Sequence, residues 1–256
     1  VYEFGNPVTK YQSIKSFTKQ TNLFDLDYFE GDAKRKFEYN CSKIETHYPK
    51  LITSIESEGR LNDEGTDLLT HYLPSLLCRS VPFRTWVEQL ISHKETRLKF
   101  FKEITMFMEN GEEKDLLMAL NSELDTKFQV NFVMFYVMQF FLEVMSSLNF
   151  VLLKDYGNRG WFTTDNPVVH DKKGNHEWTI PPESEFYLPL NPTYCLFVYN
   201  SNVESENNLR NLEHQSTHVT NADTHQIVND IIVKNAIKYI ISPVNLGKMD
   251  LRTGAT

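Results

Sequence analysis

The chain predicts an α+β fold in which a helical N-terminal half packs on a mainly antiparallel sheet, completed by a C-terminal helix and strand. Two observations carry this. From Asn40 to about Ser147 apolar residues recur at helical spacing, and after Asn149 the period changes to two. A third sets the scale: 256 residues with 41% hydrophobic and 13% aromatic content can bury a substantial core. With only 10 Gly and 10 Pro, the chain is neither disordered nor low in complexity. The expected organisation is one domain over 1–256, helical over about 40–147 and mixed β over about 148–242.

Residues 1–39 are polar and aromatic, with short extended candidates around Val1–Phe4 and Phe37–Tyr39. Ile44, Tyr48, Leu51, Ile52 and Ile55 then form one apolar stripe, and Gly59 follows as a C′ residue. Asn62 is placed to cap the next helix, which carries Leu68, Leu69, Tyr72, Leu73, Leu76 and Leu77 and should kink at Pro74. A third helix follows Pro82 and turns Phe83, Val87, Leu90, Ile91, Leu98 and Phe101 inward. Asn110-Gly111 breaks the pattern, and a long apolar helix runs from about Glu123 to Ser147.

The strand candidates are Leu148–Leu153, Gly160–Thr164, Pro167–His170, Glu177–Ile180, Phe186–Leu190 and Tyr194–Tyr199. Turn dipeptides such as Gly157-Asn158 and Asn191-Pro192 separate them, which reads as a sheet of hairpins. A last helix over about Asp223–Lys238 leads into a strand at Tyr239–Ser242.

The apolar run Phe132–Met145 contains Gln139 and Glu143 and falls short of the roughly 20 residues that span a bilayer, so it reads as a core helix. Cys41, Cys78 and Cys195 are odd in number and widely spaced, which fits free thiols in a reducing cytoplasm. No secretory signal opens the chain, and a start at Val1 suggests that an N-terminal piece is absent. The net charge of −8 disfavours a generic nucleic-acid binder, although Arg79–Lys102 is +4 on its own. That segment reads as a solvated helix face or a phosphate site, with Arg84–Glu88 and Glu95–Lys99 as i,i+4 pairs.

Thr163-Thr164-Asp165-Asn166-Pro167 is the most informative motif. Asp and Asn side chains bond the backbone two residues on, and Pro fixes the next φ. The result is a hairpin or sharp strand bend that presents Asp165 and Asn166, either as a well-built turn or as a polar site. Asn221, His225 and Asn229 share one helix face, which could bind a substrate or cap a strand edge. Arg79 and Arg84 flank Pro82 at a helix junction, where they would meet phosphate or pair internally with Glu45 or Asp165. Asp165, His170, Asp171, His176 and Glu177 cluster in sequence without metal-site spacing, so no metal is assigned and no cofactor is identified. No nucleophile elbow or phosphate-binding Gly-rich loop is present.

Four blocks in order carry a family resemblance. They are Ser42–Glu45, Arg79–Arg84, the Phe162–Val168 block followed by Tyr187–Pro192, and Val228–Ala236 with Tyr239. Together they resemble the prokaryotic domain-of-unknown-function 4238 family over nearly the whole chain. Thr164 stands where members usually have Ser, and the usual His-x-x-Pro head is absent. The resemblance implies intracellular bacterial proteins, some encoded among phage-defence genes, and supplies no reaction.

Two functional expectations stand side by side. In one, a defence effector acts on nucleic acid or a nucleotide. Asp165 and Glu45 are then its catalytic carboxylates, Arg79 and Arg84 neutralise phosphate, and Thr164, Asn166, Asn229 and His225 contact the substrate. In the other, a sensor or binding module holds the same residues as a structural polar centre. Convergence in an open pocket favours the first; a closed, mutually satisfied network favours the second.

Overall fold

The computed structural model describes residues 2–3, 23–26, 30–105, 126–171, 182–204 and 207–243. In chain order these form β1 (Tyr2–Glu3), α1 (Gly31–Lys34), α2 (Lys36–Thr46), α3 (Tyr48–Glu58), α4 (Asp63–Cys78), α5 (Val81–Ser92) and α6 (Lys94–Thr105). They continue as α7 (Thr126–Met145), β2 (Asn149–Lys154), β3 (Thr163–Thr164), β4 (Val169–Asp171), β5 (Glu185–Pro189) and β6 (Tyr194–Tyr199). A 3-10 turn (Asn208–Asn211), β7 (Thr217–Val219), α8 (Ala222–Lys234) and β8 (Tyr239–Ile241) complete the described chain. The expected α+β class is the observed one.

The main sheet has the order β4-β5-β6-β2-β7, antiparallel except for the parallel β2–β7 pair. A small sheet has the order β1-β8-β3, antiparallel throughout. Because strand side chains alternate between faces, the main sheet feeds two cores. Phe150, Leu152, Phe186, Leu188, Leu196 and Val198 pack with Leu51, Ile55, Leu69, Leu73 and Leu77 of α3 and α4. Val151, Leu153, Tyr187, Cys195 and Phe197 pack with Val228 and Ile232 of α8 and Ile240 of β8. The sheet therefore lies between α3–α4 and α8. In a third core, Phe37 and Cys41 of α2 and Phe83, Val87 and Ile91 of α5 meet α7, and Phe24 and Leu26 of the segment 23–26 join them.

Helix α7 is the core helix that the apolar run predicts. It is long and apolar enough to cross a membrane by length and composition, yet 67% of its most apolar window is buried inside the fold. Phe135 and Met138 are buried and Leu142 half-buried.

Several expected elements shift, each for a local reason. Phe37–Tyr39 is helical, because Phe37 and Cys41 at i,i+4 both turn into the helical core. The stripe from Ile44 to Ile55 spans two helices, α2 and α3, which meet at His47, with Pro49 in the first turn of α3. Gly59 ends α3 at φ 69°, a left-handed conformation that glycine adopts without a Cβ penalty. Asn62 caps α4 as expected, accepting the Gly65 amide at 2.9 Å, and Pro74 lies inside α4, which continues to Cys78. Helix α5 stops at His93, in an extended conformation, and α6 restarts in a new phase that leaves Leu98 exposed rather than inward. The expected strand over 177–180, residues His176 and Glu177, the break at Asn110-Gly111 and the Phe101 side chain lie outside the described residues.

Candidate functional site

The Thr163–Pro167 motif is where the chain passes from one sheet to the other. β3 pairs with β8 in the small sheet, and β4 pairs with β5 in the main sheet. The motif is thus a strand bend rather than a hairpin tip. Thr164 Oγ accepts the Asn166 amide at 3.1 Å and donates to the Asn166 carbonyl at 2.8 Å, which sets the turn. The Asp165 carboxylate faces the junction between α8 and β8. Its Oδ1 accepts the Ile237 amide at 3.0 Å and its Oδ2 accepts the Lys238 amide at 2.8 Å. The Asn166 side chain donates to the Asn235 carbonyl at 3.4 Å. Asp165 and Asn166 together tie the bend to the exit of α8.

On the face of α8 predicted from Asn221, His225 and Asn229, His225 and Asn229 are buried in the fold and Asn221 is exposed at the helix start. Asn221 caps the helix by accepting the Thr224 amide at 2.8 Å. Asn229 Oδ1 accepts the Phe162 amide, just before β3, at 3.0 Å, so it caps a strand edge. The Asn229 side-chain nitrogen lies 3.4 Å from His225 Nδ1 and 3.3 Å from Nε2. His225 Nε2 in turn lies 3.1 Å from Asp155 Oδ1, and the ring centroids of His225 and Trp161 are 4.6 Å apart. The other oxygen of Asp155 accepts the Gly160 amide at 2.8 Å. This series of contacts begins and ends on the main chain of the segment between β2 and β3. Gly160 has φ 79°, and a Cβ there would meet Pro243 at 2.2 Å, so the segment needs glycine. Burial holds the His225 pKa below the ordinary imidazole value; the Asp155 charge and the Gly160 carbonyl oppose that effect, and Arg159 adds to it.

Glu45 and Arg79 meet elsewhere, between α2 and α4. The Arg79 guanidinium donates to the Glu45 carboxylate and, through Nε, to the Ser75 carbonyl at 3.0 Å. Of the internal partners expected for the arginine, the structure supplies Glu45. Burial raises the pKa of the nearby Glu38 carboxyl, with Glu45 and Asp25 reinforcing the rise and Arg79 opposing it. Burial also lifts the Cys41 thiol to about 11, so it is not a thiolate nucleophile at neutral pH.

Arg84 serves a third centre. Its Nε donates to Glu88 at 3.1 Å and its Nη1 to Asn131 Oδ1 at 2.9 Å. Asn131 is fully buried in α7, and its amide nitrogen donates to the carbonyls of Leu23 and Asp25, each at 2.9 Å. The pair strap the segment 23–26 onto the helical core. Among the described residues no hydrogen bond or ion pair joins Asp165 to Glu45, Arg79, Arg84 or Asn229. The expected site residues therefore divide among separate centres.

The sequence reading missed a fourth centre. Arg210 Nε donates to Glu185 Oε1 at 2.7 Å, and both side chains are no more than 10% exposed. Tyr187 Oη and the Asn207 side chain donate to Glu185 Oε2 at 2.9 and 2.7 Å, and Arg210 also donates to the carbonyls of Glu183 and Val203. A glutamate opening an otherwise apolar strand was the available signal. Among the described residues no group of three or more His, Cys, Asp or Glu side chains could hold a metal ion.

A groove of about 410 Å³ lies between α2–α3 and α4, with Lys43, His47, Lys50, Asp67 and His71 on its walls. None of the site residues expected from sequence lines it.

No curated protein and no solved structure matches the chain. The family model described as a protein of unknown function, DUF4238, matches residues 5–243. That span includes all of the centres described above, and the chain belongs to the DUF4238 family.

Proposed function

We propose that the chain is a non-enzymatic ligand- or protein-binding module whose most conspicuous polar residues hold the fold. One observation carries this reading: both oxygens of Asp165 accept main-chain amides. A general acid or base needs an oxygen within reach of a reacting proton, and this carboxylate is already engaged in joining β3 to β8. One oxygen of Glu45 accepts the Arg79 guanidinium, and Asn229 caps Phe162. The described cysteines are all buried and free, which suits a bacterial cytoplasm, and a role in antiviral defence is the setting that we propose. The test is to express Asp165→Asn and Glu45→Gln beside the natural protein, scoring phage plating and growth together with the amount of folded protein. Activity should follow the folded fraction. A variant with an unchanged unfolding midpoint and no activity would overturn the reading.

A second reading, an effector acting on RNA, DNA or a nucleotide, draws on the +4 charge of Arg79–Lys102. Within that segment Arg79 and Arg84 are engaged by Glu45, Glu88 and Asn131, while Lys94 and Lys99 lie at the surface. Incubation of the purified protein with single-stranded RNA, DNA and nucleotides, followed by product analysis, separates the two readings.

A further inference from the structure

Two helical stripes face one another across the groove. His47, Lys50, Leu51 and Ser54 lie at i, i+3, i+4 and i+7 on one wall, and Glu64, Asp67, Leu68 and His71 repeat that spacing on α4. The volume of about 410 Å³ falls within the range of small-molecule sites. Ile44, Leu51 and Leu68 supply an apolar surface, and the polar groups are unevenly engaged.

At one end a surface ion pair bridges the two walls of the groove. Lys50 Nζ donates to Glu64 across it at 2.6 Å, and the Asn62 side chain is engaged with Ser54, Glu58 and the Gly65 amide. The Lys50 contact, with a smaller contribution from His47, lowers the Glu64 pKa.

At the other, open end no ion pair among the described residues bridges the walls. The Tyr48 and Tyr72 rings meet at a tilt of 33° with centroids 4.9 Å apart, and His47 and His71, the residues preceding them, both line the groove. Lys43 lies one turn before His47. Its ammonium sits 4.3 Å from the Tyr39 ring centroid and makes no ion pair among the described residues. The His47 ring makes no hydrogen bond among the described residues. His71 Nδ1 lies 2.8 Å from the Asp67 carbonyl and is assigned as the donor, which leaves Nε2 as an acceptor. The Asp67 carboxylate, 4.0 Å from the same ring, helps to hold it there.

The open end thus offers a cation and an imidazole to anionic oxygens, and one ring nitrogen that can accept a proton-bearing oxygen. A phosphomonoester near its second pKa of about 6 presents both kinds of oxygen. A carboxylate presents only acceptors. We infer that this groove binds a phosphomonoester with an apolar body, the phosphoryl group held by Lys43, His47 and His71 and the body laid on Ile44, Leu51 and Leu68. This deepens the binding-module reading and rests on it.

The test uses the full chain and phenyl phosphate, with inorganic phosphate, benzoate and benzyl alcohol as comparators, followed by ¹⁵N chemical-shift titration and calorimetry. Phenyl phosphate should bind saturably, with shifts confined to residues of α2, α3 and α4, and more tightly than each comparator. Lys43→Gln, His47→Gln and His71→Gln lie at the surface and should keep the fold, each weakening binding by about tenfold, the loss of one charged hydrogen bond. Lys99→Gln, a surface cation on α6, should leave it unchanged. Absence of saturable binding, or equal binding by the three groove variants, would overturn the site. Equal affinity for benzoate would overturn the phosphomonoester assignment. Release of phenol would instead overturn the non-enzymatic reading while leaving the site in place. If the groove fails while activity still follows the folded fraction in Asp165→Asn, the module reading stands and this site alone falls.

Discussion

Asp165 and Lys238 are 73 positions apart in the chain, yet the Lys238 amide donates to the Asp165 carboxylate at 2.8 Å. With the Ile237 amide on the other oxygen, a single side chain fixes the turn between α8 and β8. Asparagine has one acceptor oxygen, so Asp165→Asn can keep only one of these bonds. The carboxylate is partly exposed, and the expected loss is about 1–2 kcal/mol. Urea denaturation measures it, and amide exchange should quicken at Ile237 and Lys238 before it does in the main sheet. Unchanged protection at both amides would remove the clamp.

Asn229→Leu should cost about 1–3 kcal/mol, because it leaves the Phe162 amide buried without its acceptor. The same denaturation assay reads this, and a neutral result would mean that Phe162 has found another partner.

His225 gives the fold a pH dependence of known sign. Its folded pKa is held below the unfolded value of about 6.5, so its contribution is complete above that pH and is lost as pH falls through the folded pKa. Glu38 acts in the opposite sense: its pKa is raised, so its contribution is complete below about 4.5 and is lost as pH rises through the folded value. Comparing urea midpoints of the natural protein and His225→Gln between pH 5 and 7.5 isolates the histidine. The natural protein should weaken more steeply on acidification, and parallel profiles would contradict the assignment.

Glu185 and Arg210 should be strongly coupled. Removing one partner, as in Arg210→Met, leaves a buried charge and should cost about 3–5 kcal/mol. The pair Glu185→Leu/Arg210→Met should cost less than the two single changes added together. A double-mutant cycle by chemical denaturation checks this, and additivity would show that the two do not interact.

Met138→Ala should cost about 2–5 kcal/mol, as expected for a cavity in the helical core around α7. A loss below about 1 kcal/mol would show that the site collapses around the smaller residue.

Much of the architecture was legible because it rests on local periodicity. The stripe of α4, the uniform apolarity of α7 and the short apolar runs of β2, β5 and β6, which are buried on both faces and do not alternate, are each written over a few turns or one strand. The break at His93 was less visible, since Lys94–Thr105 is itself a plausible continuation, and only the exposed Leu98 reveals the change of phase. β7 was missed because three residues are too few to establish a period, and its pairing with β2 comes from opposite ends of the β half. The polar residues were legible one by one and not as a set. That Asp165 would have a partner outside its own turn followed from the motif, although the expected partners were Arg79, Arg84, Asn229 or a ligand. That its partners would be the amides of Ile237 and Lys238 depends on which strand lies beside β3, a long-range pairing that spacing does not encode.

The small sheet has a consequence for how the chain is made. Its register pairs Tyr2 with Ile240 and Thr163 with Ile241, so β8 joins residues from far apart in synthesis. On the ribosome, β1 and β3 emerge well before their shared partner, and Asp165 waits for the amides that occupy it. Contacts of such long sequence separation form slowly. Closing this sheet should therefore be a late step, and a nascent chain halted before Tyr239 should hold its helical core while β1 and β3 remain unpaired.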